Sequence, residues 1–148
     1  MNDKLRKEVI FISVVVVILI ASAVLNVFLI SNISNSVSQN NGAIPVGAEV
    51  IHVVGHQWAW TFIYPNGTSS VNALTVPVNR NIALVVNSSD VIHDLYIPEM
   101  DVQVYAVPGM NNTVVFDPTH TGSFYFECVE YCGEYHYRMT GTLQVVSA

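Results

Sequence analysis

From Val9 to Ile30 the sequence reads VIFISVVVVILIASAVLNVFLI, an apolar run without a charged residue or a proline. As a helix this run is ~33 Å long, close to the ~30 Å hydrocarbon core of a bilayer. Its β-branched residues are poor helix formers in water, but in lipid every backbone amide must be bonded within the segment. A transmembrane helix over 9–30 is therefore predicted, with Ser13, Ser22 and Asn26 able to face a neighbouring helix. A cleaved secretory signal competes with this reading, because a basic start and an apolar stretch lead to Ala21-Ser22-Ala23. The run continues past Ala23 for longer than a signal needs, which favours an uncleaved anchor.

The pattern then changes twice. Residues 31–42, SNISNSVSQNNG, are uncharged and rich in Ser and Asn, which reads as a polar linker. Beyond it apolar residues come in short runs separated by turn residues, and helical periodicity is hard to find. The runs predict strands over 49–54, 58–64, 72–76, 82–86, 91–97, 102–106, 113–116, 123–128 and 141–146. Pro65-Asn66-Gly67 reads as a hairpin-type turn, and Asn87-Ser88-Ser89, Pro108-Gly109 and Asp117-Pro118 as further reversals. The expected organisation is a cytoplasmic tail over 1–8, a membrane helix over 9–30, a linker over 31–42 and one all-β sandwich over 43–148. Trp58 and Trp60, two apart on a predicted strand, should face the same side.

Charge narrows the setting. Only 11% of residues are charged, and the net charge is −6. Three of the five basic residues, Lys4, Arg6 and Lys7, precede the apolar run, so the positive-inside bias places the N-terminus in the cytoplasm and the sandwich outside. From residue 34 onward nine acids face two arginines, Arg80 and Arg138, so no nucleic-acid partner is expected. An acidic exterior suggests a basic partner, although neutral contact suits such sparse charge equally.

The chemistry concentrates in Cys128 to Met139, CVEYCGEYHYRM, between two predicted strands. Two thiolates, an imidazole and a thioether form a soft set suited to copper; zinc would accept the first three but has little use for the thioether. A further strong ligand must come from elsewhere, and His93, at a strand start upstream, is the best candidate. A mononuclear blue copper site needs one cysteine, whereas this loop has two. If both sulfurs bridge, two coppers can share them, each capped by a histidine, with Met139 axial on one and the Glu130 backbone carbonyl axial on the other. A Cys128–Cys132 disulfide is the competing reading in an oxidising compartment, but it leaves His136 and Met139 without a purpose. His52, His56 and His120 read as surface or core histidines. No nucleophile with its base, phosphate loop or catalytic carboxylate pair stands out, so no bond-breaking chemistry is expected in this chain alone.

The loop resembles the C-x-E-x-C-G-x-x-H-x-x-M pattern of the dinuclear CuA site in subunit II of cytochrome c oxidases, with all six positions present. DVIHDLYIP around His93 is similar to the segment carrying the first histidine of that family, AVPGM at 106–110 to its Pro-Gly turn, and GHQWAW at 55–60 to its aromatic motif. The resemblance implies a cupredoxin-like Greek-key β-sandwich behind one transmembrane helix, in an oxidoreductase complex of the respiratory chain. Such a subunit takes electrons from an external donor, a cytochrome c or a small copper protein, and passes them to heme in subunit I, where oxygen is reduced. It implies Cys128 and Cys132 as bridging ligands of a dinuclear copper centre, His93 and His136 as terminal ligands, and Met139 and the Glu130 carbonyl as axial ligands. Trp58 aligns with the residue of electron entry, and the Glu130 side chain with a magnesium or subunit I contact.

Two departures bear on partners. One membrane helix replaces the more common two, as in the shorter single-anchor subunits of some bacterial and archaeal oxidases. Gln103 and Tyr105 stand where charged residues are often found before the Pro-Gly turn. A membrane-anchored mononuclear cupredoxin, the copper subunit of a nitric or nitrous oxide reductase, and a quinol-oxidase-type docking module remain the alternatives. The last of these lacks the ligands that this chain has.

Overall fold

A computed structural model describes residues 2–38 and 43–147, with side chains over 2–31 and 43–147. The chain forms two compact units, Met1–Gln39 and Asn40–Ala148. The first is a single helix, α1 (Asp3–Ser38), whose apolar stretch is long and apolar enough to cross a membrane. The helix extends beyond the expected 9–30 at both ends. Neither Pro nor Gly occurs before Gly42, so nothing interrupts the hydrogen-bond ladder, and the Ser/Asn segment read as a linker is helical as far as Ser38. The remainder of that expected linker, 39–42, lies outside the described residues.

The second unit is the all-β, cupredoxin-like sandwich that the sequence predicts. Its strands are β1 (Glu49–His56), β2 (Ala59–Ile63), β3 (Ser69–Val71), β4 (Ala73–Pro77), β5 (Ile82–Ser88), β6 (His93–Ile97), β7 (Val102–Ala106), β8 (Asn112–Phe116), β9 (Gly122–Cys128) and β10 (Thr140–Val146). They form two five-stranded sheets, ordered β3-β2-β1-β5-β8 and β4-β10-β9-β6-β7. Most neighbours are antiparallel, but β1 runs parallel to β5 and β10 parallel to β4.

Alternation along the strands builds the core. Ile51 and Val53 on β1, Trp60 and Phe62 on β2, and Leu84 and Val86 on β5 are buried together with Leu95 and Ile97 on β6, Phe126 on β9 and Leu143 on β10. Phe62 and Phe126 meet edge to face across the two sheets, 5.4 Å between ring centres, an arrangement favoured by the aromatic quadrupole. Their contact joins the sheet carrying β1 and β2 to the strand that ends at Cys128.

Three local expectations are corrected. The strand expected from Trp58 begins at Ala59, because Gln57 and Trp58 form the tight β1–β2 turn; Trp58 and Trp60 therefore do not share a strand. The strand expected from Val91 begins at His93, since Ser88, Asp90 and Val91 are tied into a turn by side-chain and backbone bonds. A tenth strand, β3, was not expected: Ser69-Ser70-Val71 is a short polar edge paired only with β2.

Candidate metal centre

Antiparallel pairing of β9 with β10 places Cys128 and Thr140 at the two feet of the loop that carries the thiols. The Cys128 amide donates to the Met139 carbonyl at 3.0 Å and closes its neck, while the Val129 amide donates to the Asp94 carbonyl at 2.9 Å and fastens the loop to β6. Near its end the chain tightens into a 3₁₀ turn, His136–Arg138, which brings His136 and Met139 back toward the cysteines. Gly133 permits the preceding bend. Its φ is +123°, and a Cβ there would lie 2.8 Å from Gln57 Nε2 and 3.3 Å from Trp58 Nε1.

Six donor groups from two segments converge. The Cys128 and Cys132 sulfurs are 3.8 Å apart and unbonded, both cysteines being free and buried. His93 Nδ1 lies 4.0 Å from Cys128 Sγ, and His136 Nδ1 lies 3.4 Å from Cys132 Sγ. Met139 Sδ is 3.7 Å from Cys132 Sγ, and the Glu130 carbonyl oxygen 3.3 Å from Cys128 Sγ. The ligating atoms of His93, Cys128 and Cys132 all fall within 4.8 Å of one another, and all three residues are buried. Metal–sulfur and metal–nitrogen bonds of about 2.3 and 2.0 Å would let a metal atom span the 3.8 Å between the sulfurs or the 4.0 and 3.4 Å between each sulfur and its neighbouring imidazole. The soft sulfurs with two imidazoles suit copper, so the residues present fit the expected group.

Burial raises the Cys132 thiol, and the adjacent Cys128 pushes it further, to about 12. Copper-free, it is therefore a neutral thiol at physiological pH, and a metal must displace its proton. Asp90 shows the opposite balance. Burial alone would raise its carboxyl, but the hydrogen bonds from His93 and from the Gln57 and Val91 amides prevail and hold it at about 2. Asp94, almost wholly buried beside the loop, is raised by burial; Gln103 Nε2 donates to its Oδ2 at 2.6 Å and opposes the shift, while Glu130 adds to it. Gln103, one of the two departures from the family pattern, thus serves as a cap on this buried carboxyl.

Aromatic rings surround the ligands. Trp60, fully buried, lies 5.8 Å from the His93 ring at a steep angle. Trp58 is half-buried in the β1–β2 turn and packs edge-on against Tyr135 of the loop at 4.8 Å. Tyr131, mostly exposed, lies 6.0 Å from the His136 ring. His52 and His120 are exposed and His56 half-buried. Two residues that the sequence did not single out also reach the site. Gln57 Nε2 donates to the Cys132 carbonyl at 2.7 Å, and Asp90 Oδ1 lies 2.8 Å from His93 Nε2. Asp90's place three residues before a candidate ligand was the available signal. Gln57 offered none beyond lying within the aromatic motif.

A cupredoxin-like sandwich with thiols, imidazoles and a thioether gathered at one end defines a class of β-sandwich domains whose donor group could hold copper. The chain belongs to the cytochrome c oxidase subunit II family, whose periplasmic-domain model matches residues 68–146. Cytochrome c oxidase subunit 2 of Synechocystis sp. is 33% identical over 99 residues, covering 67% of this chain and 29% of that protein. Among solved structures, the periplasmic domain of subunit II of cytochrome oxidase from Bradyrhizobium japonicum superposes with a TM-score of 0.67 at 31% identity, over 71% of this chain and 88% of that one. A chain of a heme-copper terminal oxidase dimer shares the fold at a TM-score of 0.60 and 20% identity, over 84% of this chain and 95% of that one. The chain spans only part of the curated relatives it matches, from 26% of the Thermostichus vulcanus protein to 52% of the Myxine glutinosa subunit.

Proposed function

We propose that this chain is the electron-entry subunit of a terminal heme-copper oxidase, holding a dinuclear copper centre at the rim of its sandwich. Cys128 and Cys132 would hold the metals jointly, His93 and His136 would cap them, and Met139 and the Glu130 carbonyl would complete the set. A copper pair held by these residues would supply one-electron chemistry with the charge shared between two metals. The observation that carries the reading is the convergence of these six donors, His93 from β6 and the rest from one loop.

The chain's own part is to hold those donors still. The loop is closed at its neck, fastened to β6 and braced by Gln57, so its ligands need little rearrangement when charge arrives or leaves. Trp58 is the proposed entry residue, because its ring covers the ligand loop through Tyr135 while part of it remains accessible. The donor would be a cytochrome c or a small copper protein, and the acceptor heme in subunit I, with oxygen reduction occurring there. The Glu130 carboxylate is the proposed contact to subunit I, and magnesium is its proposed ligand at that junction. The helix would anchor the chain with residues 1–8 in the cytoplasm and the copper domain on the outer side, as the basic residues Lys4, Arg6 and Lys7 favour.

Metal counting and the absorption spectrum of the full chain test this. Two coppers per chain with a purple, delocalised spectrum are expected, and Cys132→Ser should abolish that signal. One copper per chain would favour the mononuclear cupredoxin alternative. A two-copper spectrum that survives Cys132→Ser would falsify the ligand assignment.

A further inference from the structure

We infer that Asp90 is a positioning residue for the metal centre: its carboxylate accepts the Nε2 proton of His93, sets the tautomer that presents Nδ1 to Cys128, and through Gln57 braces the loop at Cys132.

A neutral imidazole carries one N–H and one lone pair, and a carboxylate can only accept. With Asp90 Oδ1 2.8 Å from Nε2, the proton belongs on Nε2, leaving Nδ1 bare. Nδ1 is the atom that faces Cys128 Sγ. The ring has little freedom to turn away, since Trp60 packs on it and a Cβ at Gly55 would lie 3.0 Å from its Cδ2. His93 is fully buried, and Asp90 is the side chain that meets its Nε2.

Asp90 is itself held from several sides. Its Oδ1 also accepts from the Val91 amide at 2.7 Å, and Ser88 Oγ lies 3.2 Å away. Its Oδ2 accepts from the Gln57 amide at 2.7 Å. The Gln57 side chain then donates to the Cys132 carbonyl at 2.7 Å. His93, Asp90, Gln57 and Cys132 thus form one chain of hydrogen bonds linking a ligand on β6 to one on the loop, through a turn of the opposite sheet. An outer partner of this kind fixes orientation and raises ligand basicity, and its loss costs about 10- to 100-fold in metal affinity.

The affinity part rests on the copper reading above; the tautomer part does not. The test uses the full chain in detergent, copper-free and labelled with ¹⁵N-histidine, with His93 assigned from a His93→Gln sample. Two-bond ¹H–¹⁵N correlation at pH 7 should show a single Nε2–H tautomer for His93. Asp90→Ala should abolish that single pattern, leave His136 unchanged, and lower copper retention against a chelator by at least tenfold. Asp90→Leu, similar in shape to the carboxylate but unable to accept a hydrogen bond, is read the same way if Asp90→Ala does not fold. A single Nε2–H tautomer at His93 in the variant, or a loss of copper retention smaller than tenfold, overturns the proposal. A parent that binds no copper, with the His93 pattern still lost in Asp90→Ala, overturns the copper reading and upholds the positioning role.

Discussion

The imidazole of His93 lies directly against Gly55: a Cβ at 55 would stand 3.0 Å from His93 Cδ2 and 3.0 Å from Trp60 Cζ3. The β1 glycine is therefore where the two rings gain room beside the sheet. Gly55→Ala should force one of them aside and cost about 1–3 kcal/mol, the usual penalty of overpacking. Thermal unfolding of the copper-free chain reads that cost, and a copper spectrum altered in the same variant would show that His93 is the ring that moved. An unchanged melting temperature would mean that the rings have slack.

Gln57 makes a separable contribution. Gln57→Leu removes the side-chain donor to the Cys132 carbonyl but leaves the Gln57 backbone bond to Asp90. About 0.5–1.5 kcal/mol should be lost, with faster hydrogen exchange confined to the ligand loop. Exchange accelerated evenly over the sandwich would contradict a local brace.

Met139 is fully buried with its sulfur 3.7 Å from Cys132 Sγ, so it serves both the core and the donor set. Met139→Leu is close to volume-conserving and should cost less than about 1.5 kcal/mol in the copper-free chain. The copper count should remain two while the reduction potential shifts, as withdrawal of a weakly held thioether would require. Loss of both coppers would make Met139 a principal ligand.

Burial and the neighbouring Cys128 push the Cys132 thiol up to about 12, so the copper-free site keeps a proton there. On the proposed ligand assignment copper would displace its proton, so uptake would release protons and apparent affinity would fall as pH is lowered. Chelator competition between pH 8 and pH 5 should show affinity decreasing toward the acid end. A flat profile would show that the thiol is not a ligand.

The gathering of Cys128, Cys132, His136 and Met139 was legible in the sequence because these residues lie in one short run, with spacing that only a few chemistries can use. The strands were legible wherever alternation buried one face, as at Val102–Ala106, whose expected and observed limits coincide. β3 escaped because Ser69-Ser70-Val71 has almost no apolar signal and is a strand by virtue of its partner β2. The Ser/Asn stretch after Ile30 was read as a linker on composition, whereas helix already formed in the apolar run continues to Ser38. Asp90 and Gln57 were overlooked because each is an ordinary polar residue in a turn. Their importance arises from the fold, which brings Gln57 beside a carbonyl 75 positions later in the chain.

The parallel pairing of β1 with β5 sets an order of assembly. Neither strand can find the other through a hairpin, so the turn at Gln57 and the segment at Asp90 meet only after a long stretch of intervening chain has closed. If the cluster holds metal as proposed, the pocket is complete only once this pairing has formed. An ion captured by the cysteine loop beforehand would lack its His93 cap, and tight, stoichiometric uptake should report a sandwich already complete.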